Sequence, residues 1–239
     1  MPGSSPELSI IIPAYNESGN IRPLVRELMY VLEDTGKTFE VLFIDDGSSD
    51  DTVEQIELYR KEYPQIRLIR FESNKGQTAA MAAGFKHALG AVLITCDADR
   101  QNNPRDIPRM LEGLSQYDMV CGWRKVRWDS ISKKISSRIA NAVRNTLTSE
   151  SIKDTGCTLK VFKRACVQNL KLYNGFHRFL PTLIKMEGFT VGEIEVSHRP
   201  RLSGKSKYGI GNRMFKGLAD LFVVRWMIKH HIKSQPVSK

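Results

Sequence analysis

Leu8-Ser9-Ile10-Ile11-Ile12-Pro13-Ala14-Tyr15-Asn16-Glu17 is the stretch on which the fold turns. Its apolar run reads as a buried strand, and the residues from Pro13 to Glu17 read as the polar turn that ends it. A helical pattern follows from about Ile21 to Leu32, with Asn20 as the expected N-cap and Gly36 as the stop. Phe39-Glu40-Val41-Leu42-Phe43-Ile44 then repeats the strand and runs into Asp45-Asp46-Gly47-Ser48-Ser49-Asp50. Two such units in succession, with the alternation continuing to about Gly122, predict an α/β domain: a mostly parallel, Rossmann-like sheet flanked by helices. In open sheets of this kind ligands bind at the carboxyl ends of the strands, where these polar turns lie. The turns contain neither G-x-G-x-x-G nor G-x-x-x-x-G-K-[ST], which argues against a dinucleotide fold and a P-loop ATPase.

A third apolar run, Ala91 to Ile94, leads to Asp97-Ala98-Asp99-Arg100-Gln101. On an extended strand alternate side chains share a face, so Asp97 and Asp99 are expected to point the same way. Two carboxylates at a strand end suit a hard divalent cation, Mg2+ or Mn2+, that takes its other ligands from phosphates. A D-x-D pair alone is more often a solvated turn; its weight comes from the agreement of the other strand ends.

The chain of 239 residues is long enough for one full core. Its four cysteines, Cys96, Cys121, Cys157 and Cys166, lack C-x-x-C spacing and read as buried free thiols of a reducing compartment. Met1 to Pro6 has no apolar core of a secretory signal. Of the net charge of +10, Arg199 to Lys239 carry ten cations against Asp220, or +9. A second basic stretch holds Arg124, Lys125, Arg127, Lys133, Lys134, Arg138 and Arg144 against Asp129. Without a recognisable module or a platform of stacking aromatics, this charge is not expected to serve nucleic acid.

Pro13-Ala14-Tyr15-Asn16-Glu17, Asp45 to Asp50, Asn74-Lys75-Gly76, Asp97 to Gln101 and Gly204-Lys205-Ser206-Lys207-Tyr208-Gly209 occur in an order that resembles inverting GT-A glycosyltransferases. From about Leu8 to Met227 the chain looks like the polyprenyl-phosphate glycosyltransferases, the group of dolichyl-phosphate mannose synthase. The R-x-x-G-x-S-K segment from Arg201 points to that lipid-phosphate branch. The resemblance implies transfer of a sugar from a nucleotide diphosphate sugar, of GDP-mannose or UDP-glucose type, to a dolichyl or undecaprenyl phosphate. It implies Asp97, Asp99 and Gln101 as metal ligands, and Pro13, Tyr15, Glu17, Asp45, Asp46, Asp97, Arg201 and Lys207 around the donor. Of the adjacent Asp45 and Asp46, Asp46 is favoured to touch the base, and Arg199 is a further candidate beside Arg201. Asp99, Arg124 and Lys133 are the expected catalytic positions, and Arg124, Lys133, Asp154 and Arg178 the acceptor positions. Lys133 stands where relatives more often carry Arg, with Lys134 as a near substitute. His177 is expected to be a hydrogen-bonded structural residue. Two other readings stand beside this one. The first is a glycosyltransferase acting on a carbohydrate hydroxyl, which needs a base such as Asp154 and usually a Q-x-x-R-W motif that this sequence lacks. The second is a non-catalytic module that binds anionic membranes.

Residues 1–208 are expected to form the GT-A domain, and 209–239 a basic amphipathic helix and tail. Leu218 to Ile228 is apolar but interrupted by Asp220 and Arg225, and it falls short of the ~20 apolar residues of a spanning helix. Flanking Arg213, Lys216, Lys229 and His230 suit a helix lying on an anionic bilayer or, equally, one packed on the domain. The expected location is peripheral, at the cytoplasmic face of a membrane, with a membrane-protein partner as a further expectation. Relatives often continue into transmembrane helices beyond this point.

Overall fold

The computed structural model describes residues 5–125, 152–200 and 210–231, with side chains from 219 onward in the last segment. Seven strands form one sheet: β1 Leu8–Ala14, β2 Phe39–Asp45, β3 Ile66–Arg70, β4 Val92–Thr95, β5 Met119–Trp123, β6 Lys160–Lys163 and β7 Val191–Glu195. Their spatial order is β3-β2-β1-β4-β6-β5-β7. Every neighbouring pair is parallel except those made by β6, which runs against both β4 and β5. The helices are α1 Ser18–Asp34, α2 Thr52–Glu62, α3 Gln77–His87, α4 Ile107–Glu112, α5 Leu180–Met186 and α6 Ile210–His230.

The apolar runs Ile10 to Ile12 of β1 and Val41 to Ile44 of β2 follow from a sheet covered on both faces. Ile10, Ile12, Val41 and Phe43 pack with Leu24 and Leu28 of α1 and Ile56 of α2. Ile11, Leu42 and Ile44 pack on the opposite face with Ala80 and Met81 of α3 and with Leu180 and Ile184 of α5. Each such side chain contributes about 1.5–3 kcal/mol on burial. Helix α3 lies close enough to β1 that a Cβ at Gly84 would collide with the Ile11 side chain.

Helix α1 starts earlier than its apolar periodicity indicates. Glu17 is the N-cap residue, and Asn20 lies inside the first turn, where its amide donates to Glu17 Oε2 at 2.6 Å. The C-terminal stop falls where expected. Thr35 and Gly36 donate backward to Leu32 and Glu33, and Gly36 takes φ 65°, a left-handed conformation that costs glycine little.

Helix α6 carries apolar residues on two sides. Leu221 and Val224 are buried against Phe176, Phe179 and Leu183, whereas Phe222, Val223 and Trp226 are 62%, 49% and 61% exposed. No helix among the described residues is long and apolar enough to cross a membrane. All four cysteines are buried, and burial pushes the Cys121 thiol up to about 12.

Candidate active site

The carboxyl ends of β1, β2, β4 and β5 lie along one edge of the sheet. Because β6 is antiparallel, its beginning lies there too, with Lys160 opposite both Thr95 and Cys121. The predicted residues from four strand ends and from the lead-in to β6 therefore gather at a single edge.

The D-x-D pair is not on a strand. β4 ends at Thr95, and Asp97 to Gln101 form a tight turn in which Arg100 takes φ 63°. The alternation argument does not apply; the turn brings the two carboxylates together instead. The Asp99 carboxylate is buried, at 5% exposure, and its Oδ1 accepts from the Gln101 N–H at 3.1 Å. Asp97 is held by three residues that sequence reading missed. Its Oδ1 accepts from Gln77 Nε2 at 3.1 Å, and its N–H donates to Asn102 Oδ1 at 3.0 Å. The Thr158 hydroxyl lies 2.9 Å from both Asp97 Oδ2 and Asn102 Oδ1, and its one proton serves either in turn. The only sequence signal for this shell was Gln77, the first polar residue after Asn74-Lys75-Gly76.

Burial and then the neighbouring Asp99 charge push the Asp97 carboxyl up to about 6. The fold therefore concentrates negative charge in this turn. No cluster of three or more His, Cys, Asp or Glu residues capable of holding a metal occurs among the described residues. Two carboxylates in one turn form an incomplete donor set, which fits a hard divalent cation that draws its remaining ligands from phosphate oxygens and water.

The positions predicted for the donor are tied to one another. Asp46 Oδ1 and Oδ2 accept from the N–H groups of Lys75 and Gly76 at 2.7 and 2.9 Å, so Asp46 fixes the loop that opens α3. Gly76 takes φ 91° there. Asp45 faces elsewhere, as adjacency predicts. It accepts from the Ser48 N–H at 3.3 Å and stands 4.0 Å from Arg70 Nε. Pro13, Tyr15 and Glu17 are partly exposed along the rim. The Asn16 N–H donates to Ser48 Oγ at 2.9 Å, and the Glu17 N–H donates to Thr52 Oγ1 at 2.8 Å. These bonds close the β1 turn onto the β2 turn.

On the far side of the turn Arg124 and Asp154 form a bidentate ion pair. Arg124 Nε donates to Oδ2 at 2.7 Å and Nη2 donates to Oδ1 at 3.0 Å. The two side chains are 11% and 4% exposed. Arg178 lies in the 3-10 turn Phe176–Phe179. That turn reaches α3: Thr78 Oγ1 accepts from the Gly175 N–H at 3.0 Å and lies 2.7 Å from His177 Nδ1. His177 is thus hydrogen-bonded to the helix start that also supplies Gln77. Arg199 forms a bidentate pair with Glu27, at 2.8 and 2.7 Å, and its N–H donates to the Gln101 carbonyl at 3.1 Å. It is a tether that sets the chain beside the acidic turn, just ahead of Arg201. Lys133, Lys134, Arg201, Ser206 and Lys207 lie outside the described residues.

A family model described as Glycosyl transferase family 2 matches residues 9–170. A dodecaprenyl-phosphate galacturonate synthase of Rhizobium johnstonii is 35% identical over 241 residues, covering 98% of this chain and 70% of that protein. An undecaprenyl-phosphate 4-deoxy-4-formamido-L-arabinose transferase of Edwardsiella ictaluri is 34% identical over 205 residues, covering 85% of this chain. The match spans 63% of that second protein, under two thirds of its length. Among solved structures, glucosyl-3-phosphoglycerate synthase from Mycobacterium tuberculosis with Mn2+, UDP-glucose and phosphoglyceric acid superposes with a TM-score of 0.72 at 15% identity, covering 92% of this chain and 80% of that one. The mannosyltransferase PcManGT from Pyrobaculum calidifontis with GDP-Man and Mn2+ gives a TM-score of 0.65 at 18% identity, covering 98% and 67%. At such identities the likeness shows a shared fold.

Proposed function

The chain belongs to glycosyl transferase family 2, and from that premise we propose that it moves a sugar from a nucleotide diphosphate sugar to a polyprenyl phosphate. The observation that carries the choice of acceptor is the Arg124–Asp154 pair. A carboxylate held bidentately by a guanidinium is a weak base, so Asp154 is poorly placed to deprotonate a sugar hydroxyl. A phosphate acceptor needs no such base, because it is already anionic near neutral pH, with a second pKa of about 6. It needs a fixed cation, and the pair keeps the Arg124 charge oriented at the sheet edge. Two relatives named for polyprenyl-phosphate products support the same reading.

Asp97 and Asp99, with Gln101 in the same turn, would hold Mg2+ or Mn2+. The bound ion would supply Lewis-acid stabilisation of the departing nucleoside diphosphate. The residues around it do the positioning. Gln77 and Thr158 fix the two oxygens of Asp97. Asp46 braces the Lys75–Gly76 loop at the donor side, between the Asp97 turn and the nucleotide rim of Pro13, Tyr15 and Glu17. Arg201 and Lys207 would approach the diphosphate from the segment that Arg199 anchors, and Lys133 would join Arg124 and Arg178 at the acceptor phosphate.

The exposed Phe222, Val223 and Trp226 of α6, with Lys229 one turn on, support peripheral contact with a membrane that carries the lipid acceptor. The relatives are named for galacturonate and formamido-arabinose transfer, so uronic acid and amino sugar nucleotides head the donor candidates, ahead of GDP-mannose.

The test is transfer from a panel of nucleotide sugars, with Mn2+, to a short polyprenyl phosphate. One donor should give lipid-linked sugar, with the reaction abolished by EDTA and in Asp99→Ala. Transfer to a free sugar hydroxyl that ignores polyprenyl phosphate and disappears in Asp154→Asn would replace this reading with the carbohydrate-acceptor one.

A further inference from the structure

Lys160 is a buried charged group that the reaction above leaves without a part. It opens β6 opposite Thr95, at the ligand edge of the sheet, and is 3% exposed. Its Nζ donates to the Cys157 carbonyl. Among the described residues no carboxylate forms an ion pair with it, whereas Lys163 on the same strand pairs with Asp118 at 2.8 Å. A buried ammonium without a carboxylate partner costs several kcal/mol, so its retention at this place calls for a reason. Cys157 is followed by Thr158, whose hydroxyl touches Asp97. The Lys160 charge also draws the Asp97 carboxyl downward, against burial and Asp99. The cation therefore lies beside the acidic turn, bonded to the carbonyl of the residue before Thr158 and opposite Thr95 on the strand that leads to Asp97.

We propose that Lys160 is a built-in countercharge that keeps the Asp97–Asp99 turn weak toward a free divalent cation, so that the cation binds together with the donor diphosphate. The inference rests on the nucleotide-sugar reading given above. Lys160 adds one positive charge beside the two carboxylates, on top of Arg100 in the same turn. A lone cation gains too little to stay. A diphosphate restores the missing negative charge, and by linkage the nucleotide and the metal each tighten the other. When the nucleoside diphosphate leaves, the metal loosens with it, and the idle site stays open to the next donor.

The experiment is titration of the full chain with Mn2+, followed by the EPR signal of the free ion, with and without UDP and, in parallel, GDP. Wild type, Lys160→Met and Lys160→Arg are compared, with circular dichroism melts as the check on folding. Wild type should bind Mn2+ weakly alone and at least about tenfold more tightly with one of the nucleotides. Lys160→Met should bind Mn2+ alone about tenfold more tightly than wild type, with the nucleotide-dependent gain shrunk to match. Lys160→Arg, which keeps the charge, should behave as wild type. A purely structural brace predicts the reverse sign, because loss of the Cys157 anchor would disturb Thr158 and weaken Mn2+ binding. That weakening in a folded Lys160→Met variant overturns the inference. Should Lys160→Met fail to fold, wild type still decides: tight Mn2+ binding that neither nucleotide improves overturns the inference while leaving the glycosyltransferase reading intact. Failure of wild type to bind UDP or GDP with Mn2+ overturns that reading as well.

Discussion

The two edges of the sheet treat buried carboxylates in opposite ways. At the amino edge Glu40, 4% exposed, accepts from Ser9 Oγ and from the Leu89 N–H, both at 2.6 Å, and pairs with Arg67. Ser9 Oγ in turn accepts from the Gly90 N–H at 2.8 Å. At the carboxyl edge Asp97 and Asp99 are set in one turn, and the nearest buried ammonium, Lys160, is bonded to a carbonyl instead of to either of them. The first arrangement satisfies its charge and binds the fold together. The second sets two carboxylates close together, which pushes the Asp97 carboxyl up to about 6. Both sets lie at strand ends; what differs is that Arg67 pairs with Glu40 directly, whereas Lys160 stands beside the acidic turn bonded to a carbonyl.

The sharpest way to break this contrast is Asp99→Asn. Transfer should fall by roughly a thousandfold and Mn2+ binding with nucleotide should vanish, yet the metal-free protein should melt at the same or a higher temperature, because a like-charge contact is gone. A clear drop in melting temperature would place Asp99 with Glu40 as a structural carboxylate. Glu40→Gln should do the converse. It should lose about 2 kcal/mol of stability in urea unfolding while retaining the wild-type turnover number.

A smaller effect is expected one layer out. Gln77→Leu and Thr158→Val should each weaken Mn2+ binding in the presence of nucleotide by about tenfold, since groups that orient a metal ligand carry effects of that size. Unchanged affinity in both would mean that Asp97 needs no orienting. The smallest effect is in pH. With its carboxyl pushed up to about 6 against an ordinary value of 3.8, Asp97 holds its proton more tightly in the folded protein than in the unfolded chain. In metal-free protein its contribution is therefore destabilising above about pH 6, by about 3 kcal/mol, and is relieved as pH falls toward 4. Metal binding should run the other way, weakening by up to tenfold per unit below about pH 6 as the proton competes. Melting curves in EDTA and Mn2+ titrations between pH 5 and 7 check the two signs together.

Much of the frame was legible in the sequence, for a physical reason. β1 and β2 are apolar on both faces, and the turns after them are polar, so the order strand, turn, helix could be read residue by residue. The reversed direction of β6 was not legible, because a short strand carries no sign of its direction. At the predicted site, the gathering of residues at one edge followed from the strand order, and the way each is placed was not legible. Asp97 and Asp99 do share a turn, but Arg100 at φ 63° brings them together, and strand alternation plays no part. Gln77 and Thr158 meet Asp97 from 20 and 61 residues away in sequence, and Arg124 finds Asp154 across 30. Such contacts are products of the packed sheet, and local pattern does not encode them. The start of α1 was misplaced for a related reason: Asn20 looks like a cap, but its amide is spent on Glu17.

The reversed β6 also decides how two distant strand ends are held. Chain departing from β5 at Arg124 and chain arriving at β6 past Asp154 stand side by side, riveted by one guanidinium–carboxylate clasp. That clasp joins two strand ends 30 residues apart in sequence, so a single ion pair pins both margins of the sheet edge at once.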